Sequence, residues 1–207
     1  TEFAGRKLSV ETGKMAGLAN ASVMVRYGDT NVLCTVTASA KPREGVDFFP
    51  LSVDYEEKMY SVGRIPGSFQ RREGRASEKA ILTSRCIDRP IRPLFPKDLR
   101  NDCSVVATVM SVDPDCSPEI AAMIGVSTAI AISDIPWDGP ISGVNVGLVD
   151  GEIVLNPTLE QRAKTDLNLT VASTADLVAM IEAGGNEISD DLMFDCIMAG
   201  HEENKKI

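Results

Sequence analysis

A period-two alternation of apolar and polar residues near the N-terminus most narrows the folds open to this chain. The segment SVMVRY alternates in this way, YGDTN follows as a turn, and VLCTVTAS resumes the alternation. Successive side chains of a strand point to opposite faces of a sheet, so the pattern is typical of strands with one buried face. Residues 22–39 are therefore predicted to form a β-hairpin.

The rest of the chain mixes strands and helices without the regular alternation of a Rossmann fold. Strands are predicted at KLSVET, FFPLSVDY, CSVVATVMSVD and DLNLTVAS, and SGVNVGLVDGEIVL is predicted to form a second hairpin. Helices are predicted at EKAILTSRCIDR, where Pro90 should end the helix, at SPEIAAMIGVSTAIAIS, at TADLVAMIEA and from Ser189 onward. We expect a single α+β domain with two layers or split βαβ units.

Positive charge is concentrated in one segment of an otherwise acidic chain. Residues 64–100 contain 10 of the 21 Lys and Arg residues and 4 acidic residues, while the whole chain carries a formal charge of −9. Residues 101–207 contain 18 acidic and 4 basic residues. An acidic remainder repels polyanions, so a phosphate-bearing partner would be directed to residues 64–100. A solvated helix face with ordinary ion pairs is the alternative explanation.

The first part of this basic segment has the composition of a loop that binds single-stranded nucleic acid. In RIPGSFQRREGR, glycines separate the arginines and one aromatic residue stands among them. Glycines allow an adaptable loop, guanidinium groups bind phosphates, and an aromatic ring can stack on a base. The candidate binding residues are Arg64, Phe69, Arg71, Arg72 and Arg75. An arginine-rich surface loop without a ligand is the alternative.

A second group of arginines lies on the helix predicted after this loop. Ser77 is a suitable N-cap for that helix. Arg85 and Arg89 are one turn apart and Arg92 lies one step beyond, so these three side chains are expected along a common edge as candidates to face phosphate. Asp88 lies between them and is expected to pair with part of the group.

Common catalytic and metal-binding motifs are absent from the chain. It contains no GxGxxG after a strand, no P-loop and no GxSxG elbow. The only histidine, His201, is expected at a solvated helix position rather than in a nucleophile pair. Acidic pairs such as Asp113 and Asp115 are better explained by a turn than by Mg²⁺, and the five cysteines are too scattered for a metal or redox pair. We therefore predict no catalytic residue and no metal site.

The location expected from the sequence is the cytoplasm. No apolar run approaches the roughly 18 residues needed to cross a bilayer. The first residues, TEFAGRKLSVET, lack the basic and then apolar layout of a signal peptide. No association with a membrane is expected.

The basic segment also carries a resemblance to a known family. IPGSFQRREGRASEKAILTSRCIDRPIRPLF resembles the loop and following helix in the first ribonuclease-PH-like core of the bacterial polynucleotide phosphorylases. Similar stretches are VRYGDTNVLCTVTAS, DFFPLSVDYEEKMY, DPDCSPEIAAMIG, PWDGPISGVNVG and AGHEE, so the resemblance extends over effectively the whole chain. It implies the ribonuclease PH fold, a homotrimeric ring in the full-length protein, and single-stranded RNA passing through a central channel.

The resemblance assigns roles to several positions. Phe69, Arg71 and Arg72 match the first aromatic residue and the two arginines of the family's RNA-binding loop, whereas Gln70 replaces a second aromatic residue. Because of this replacement, we expect the loop to bind RNA less through base stacking and more through charge. The helix bearing Arg85, Arg89 and Arg92 is similar, in its basic pattern, to the helix that holds the phosphate end of the reaction in active members.

The same resemblance implies that this segment is catalytically degenerate. In the family, the second core carries the active site, with a serine-rich helix start for inorganic phosphate and a lysine two residues after an aspartate, around Mg²⁺. Here Pro118 and Glu119 occupy the helix start, and Asn168 follows Asp166 where a lysine would be expected. A carboxylate would repel the phosphate nucleophile. No cofactor is expected in this segment.

These matches imply that residues 1–200 form the first core and that residues 201–207 begin a helical linker domain. Full-length members degrade RNA from the 3′ end with phosphate and release nucleoside diphosphates. This segment is expected to contribute RNA capture and ring assembly, and an RNA-degradation complex is a further candidate partner. Two alternatives remain open: a self-sufficient phosphorolytic exoribonuclease of the ribonuclease PH type, and a non-enzymatic ring scaffold similar to inactive exosome subunits.

Overall fold

The N-terminal half of the chain forms a six-stranded sheet. In a computed structural model that describes residues 1–207, its strands are β1 (Glu2–Phe3), β2 (Arg6–Thr12), β3 (Ala21–Tyr27), β4 (Thr30–Pro42), β5 (Leu51–Glu57) and β6 (Asn101–Ser111), in the order β1-β2-β3-β4-β6-β5. The hairpin predicted at residues 22–39 is confirmed, because β3 pairs with β4 antiparallel. The edge strand β5 runs parallel to β6, and the connection between them contains the basic segment.

The C-terminal half forms a second, antiparallel sheet. Its strands are β7 (Ser142–Val149), β8 (Glu152–Leu155), β9 (Leu167–Ser173) and β10 (Val178–Gly185), in the order β10-β9-β7-β8. The helices of the chain are α1 (Glu78–Ile91), α2 (Pro118–Ile132), α3 (Leu159–Lys164) and α4 (Asp190–Asn204), with 3₁₀ helices at Met59–Val62 and Arg92–Leu94. This combination confirms the predicted α+β class.

Helix α2 joins the two sheets. It contacts β3, β4 and β6 of the first sheet and β7 of the second. Most of its residues between 120 and 130 are buried, which explains why its sequence is apolar on every side. A Cβ atom added at Gly125 would lie 2.6 Å from the Sγ atom of Cys34, so the helix approaches β4 more closely than a larger residue would allow.

Three local predictions were wrong. TADLVAMIEA is not a helix, because a turn at residues 174–177 leads into β10, which pairs with β9 along its length. Helix α1 passes through Pro90 and ends at Ile91, since a proline in the last turn costs few backbone hydrogen bonds. His201 is 5% exposed rather than solvated, because α4 packs against β7 and β9.

None of the four helices is both long enough and apolar enough to cross a bilayer. The boundary predicted at residue 201 falls inside α4, which continues to Asn204. The division between residues 1–200 and 201–207 stays a prediction.

Candidate nucleic-acid interface

The arginine loop, defined here as residues 64–76, connects the 3₁₀ helix Met59–Val62 to helix α1. All of its residues except Pro66 are exposed, and the ring of Phe69 is fully open to solvent. None of its four arginines forms a salt bridge with a carboxylate. Unpaired, solvated guanidinium groups are available to an anionic partner without the loss of an internal contact.

A tight turn places the aromatic ring at the tip of this loop. The backbone N–H of Arg71 donates to the carbonyl of Ser68 at 3.0 Å, which closes a turn with Phe69 and Gln70 at its centre. Arg71 adopts a left-handed conformation with φ of 52°, which redirects the chain after the turn. The turn brings Phe69 to the apex with Arg71 and Arg72 directly behind it. This order of groups suits one stacked base with flanking phosphates.

Helix α1 begins where the arginine loop ends. The Ser77 hydroxyl oxygen accepts the backbone N–H of Ala80 at 3.0 Å, so the N-cap predicted from the sequence is present. The same hydroxyl donates to Glu57 at the end of β5, at 2.8 Å. The helix start is therefore tied to the first sheet.

The candidate phosphate-facing arginines, two on α1 and Arg92 at the start of the following 3₁₀ helix, have different surroundings. Arg92 donates to both carboxylate oxygens of Asp88, at 2.7 and 3.0 Å, and to the carbonyl of Leu51 at 3.1 Å, so it ties the helix to β5. Arg89 lies 3.7 Å from the Glu182 carboxylate on β10. Arg85 is exposed and forms no salt bridge. Contact of all three with phosphate stays a prediction, and Arg85 alone has an uncommitted head group.

A cleft of about 520 Å³ lies between α1, the start of α2 and the second sheet. Of the four positions that the resemblance singled out, Glu119 and Asn168 line this cleft, whereas Pro118 and Asp166 do not. Lys79 and Glu182 also line it, and sequence reasoning did not identify either of them. The only sequence signal for Lys79 was its place in the basic segment, which does not indicate a partner on α2.

The charge at the start of α2 belongs to Glu119. Its carboxylate lies 2.5 Å from the ammonium group of Lys79 and accepts the hydroxyl of Ser117 at 2.5 Å. Burial raises the pKa of Glu119, but the hydrogen bonds from Lys79 and Ser117 outweigh that effect and hold the pKa below its ordinary value. The carboxylate is therefore charged at neutral pH, and it is already paired with the Lys79 ammonium group.

The donor groups needed for a metal ion do not converge. No three His, Cys, Asp or Glu side chains lie close enough together to hold one. Four of the five cysteines are buried, and Cys86 is half-buried on the cleft wall, where burial raises the pKa of its thiol to about 11. The charged groups that line the cleft are the Glu119 and Glu182 carboxylates, each paired with a basic side chain, together with Lys79 and Arg162.

Comparison with curated proteins finds extensive similarity to one kind of enzyme. The chain is 66% identical over 206 residues to the polyribonucleotide nucleotidyltransferase of Ruminiclostridium cellulolyticum and 61% identical over 206 residues to that of Clostridioides difficile. Both matches cover 100% of this chain and 29% of the relative. The chain thus spans about three tenths of the length of the curated relatives it matches.

Two solved structures share the fold at low sequence identity. Rice Rrp46 matches with a TM-score of 0.78 and 18% identity, covering 97% of this chain and 90% of that one. The Archaeoglobus fulgidus exosome with RNA bound to the active site matches with a TM-score of 0.75 and 19% identity, covering 99% and 87%. These matches confirm the ribonuclease-PH-like fold.

Two domain profiles account for nearly the whole chain. The profile of domain 1 of the 3′ exoribonuclease family matches residues 4–136, which include strands β2 to β6 of the first sheet, α1 and α2. The profile of domain 2 matches residues 139–203, which include the second sheet and most of α4. The chain therefore belongs to the 3′ exoribonuclease family.

Proposed function

We propose that this chain captures single-stranded RNA through the arginine loop, as the first ribonuclease-PH-like core of a polyribonucleotide nucleotidyltransferase. The full-length protein would degrade RNA from its 3′ end with phosphate in the cytoplasm. It would work as a homotrimeric ring, and an RNA-degradation complex is a further candidate partner. The observation that carries the proposal is the exposed loop with four arginines and no salt bridge, beside a fully exposed aromatic ring.

The charge distribution favours RNA over other partners for this surface. Phosphate groups of a nucleic acid strand interact with unpaired guanidinium groups without sequence preference, and the acidic remainder of the chain repels the strand elsewhere. A ring that stacks on a base requires an unpaired base, because bases inside a duplex are already stacked. Phe69 at the apex of the turn therefore favours a single strand.

The cleft supports capture without cleavage in this segment. Phosphorolysis requires an anionic phosphate, and the family's reaction also uses Mg²⁺. Near Lys79 the cleft presents the charged Glu119 carboxylate, and no set of carboxylates converges to hold a metal ion. The residues present do not fit phosphate with Mg²⁺, and we derive no reaction step through them. This mismatch disfavours the self-sufficient exoribonuclease.

Incubation of the chain with 5′-labelled poly(A), inorganic phosphate and Mg²⁺ tests the proposal. The expected result is a retarded complex with RNA of unchanged length. Shortened RNA would show that this core is itself active. Neither binding nor shortening would favour a ring scaffold whose basic surface contacts protein.

A further inference from the structure

Glu73 is the only acidic residue in the arginine loop, where a negative charge opposes RNA binding. It is exposed and stands between Arg72 and Arg75, yet it forms no salt bridge with either of them. Its Oε1 atom instead accepts the backbone N–H of Met59 at 2.8 Å, 14 positions earlier in the chain. This carboxylate therefore contacts the base of the loop rather than its arginines.

The Met59 N–H has no acceptor within its own helix. Met59 is the first residue of the 3₁₀ helix Met59–Val62, and the N-cap residue Lys58 supplies no side-chain hydrogen bond. Backbone N–H groups at a helix start lack partners within the helix. They also favour a negative charge nearby. Glu73 thus caps the 3₁₀ helix from the far side of the arginine loop.

The 3₁₀ helix is a fixed point to which the loop can be tied. The hydroxyl of Tyr60 donates to the sulfur of Met110 on β6 at 3.3 Å. Lys58, just before the 3₁₀ helix, pairs with Glu56 on β5 at 2.8 Å. Both contacts lead to the parallel strands of the first sheet. The hydrogen bond from the Met59 N–H to Glu73 therefore holds the loop at a fixed place relative to that sheet.

We propose that Glu73 is a positioning residue that fixes the arginine loop for RNA and leaves every loop arginine unpaired. The inference rests on the proposed function, because the loop must be the RNA contact for its position to matter. By accepting a backbone N–H, the carboxylate removes conformational freedom that would otherwise be lost when RNA binds. A lysine or arginine partner would give the same anchoring but would withdraw a cation from RNA.

Two variants of equal net charge separate anchoring from electrostatics. Glu73→Gln removes the negative charge and keeps an oxygen that can accept the Met59 N–H, whereas Glu73→Ala removes both. Fluorescence anisotropy with labelled oligoadenylate would measure affinity, and hydrogen exchange at the Met59 amide would measure anchoring. We expect Glu73→Ala to lose protection at Met59 and to bind about two- to tenfold more weakly than Glu73→Gln, as expected for one lost hydrogen bond. The salt dependence of binding should be equal in the two variants.

The outcomes that overturn the inference are distinct from a failure of the proposed function. If the Met59 amide stays protected in Glu73→Ala, the carboxylate does not anchor the loop. If Glu73→Ala loses this protection, Glu73→Gln keeps it, and the two variants bind RNA equally well, the anchor exists but does not position the loop for RNA. If Glu73→Gln also loses protection at Met59, the inference requires it to bind RNA as weakly as Glu73→Ala does. Tighter RNA binding by Glu73→Gln in that case would overturn the inference. An Arg71→Ala, Arg72→Ala double variant that binds as the unchanged protein does would instead refute the loop as the RNA contact.

Discussion

Replacement of Lys79 by methionine tests whether the Glu119 charge dominates the cleft. The substitution keeps a similar side-chain length and removes the cation that lies 2.5 Å from the carboxylate. The Glu119 side chain is only 23% exposed, so water would replace the lost counter-ion poorly. The carboxylate would keep only the hydrogen bond from the Ser117 hydroxyl. Breaking a fully buried pair costs about 3–5 kcal/mol. The Lys79 side chain is 66% exposed, so we expect a smaller loss of about 1–2 kcal/mol in the free energy of unfolding at pH 7.

The penalty should shrink in acid. In the unchanged protein the Glu119 pKa is below its ordinary value, so the stabilisation is present above the unfolded-state pKa of about 4.3 and is lost as the pH falls through the folded-state pKa. Without Lys79, burial is expected to dominate and to raise the pKa of Glu119. The folded variant would then bind a proton more readily than its unfolded state and would regain relative stability as the pH falls.

Urea unfolding followed by circular dichroism at pH 7, 5 and 4 measures this difference. The matched control is Lys164→Met on α3, where both partners of the Lys164–Glu160 pair are largely exposed and no measurable change is expected. If Lys79→Met is as stable as the unchanged protein at pH 7, Glu119 is not held by its counter-ion. If its penalty is the same at pH 4 as at pH 7, the carboxylate is not the group responsible.

Four further substitutions have defined outcomes. Arg71→Ala and Arg72→Ala should each lower the slope of log affinity for oligoadenylate against log salt concentration by about 0.7, whereas Arg26→Ala, an exposed arginine paired with an aspartate, should leave it unchanged; equal slopes throughout would exclude the loop. Arg92→Ala should lower the free energy of unfolding by about 1 kcal/mol because it releases α1 from β5, and unchanged urea unfolding would contradict this role. Gly125→Ala should cost about 1–3 kcal/mol by the same assay, because the new Cβ meets β4 and β3 side chains, and a neutral result would mean that α2 can move away.

Local patterns in the sequence were sufficient for most of the elements. The β3–β4 hairpin follows from alternation and a turn, and the start of α1 follows from Ser77, because both depend on residues close together in the chain. The strand β10 could not be predicted in this way. Its residues form a helix-like pattern, and pairing with β9 decides the outcome.

In the candidate site, too, local features could be predicted from the sequence and long-range contacts could not. Exposure of the arginine loop could be predicted from its glycines and charges, since these properties are local. The contact between Lys79 and Glu119 joins residues 40 positions apart. The contact between Glu73 and Met59 depends on the path of the loop between them, which the sequence does not specify. Neither contact leaves a periodic trace in the sequence, so both required the structure.

Under the proposed function, RNA capture and phosphorolysis place different demands on the sequence. Binding of a polyanion needs several cations on an exposed segment, and residues 64–76 supply them from one continuous stretch. Phosphorolysis needs a phosphate seat, a cation and metal-binding carboxylates brought together from distant elements. The Glu119 carboxylate pairs with the Lys79 ammonium group of the cleft, and the hydrogen bonds from Lys79 and Ser117 keep it charged despite its burial. Capture is thus expected to be more robust to sequence change than phosphorolysis, which is consistent with arginines of the loop that form no salt bridge and with a Glu119 carboxylate that pairs with Lys79.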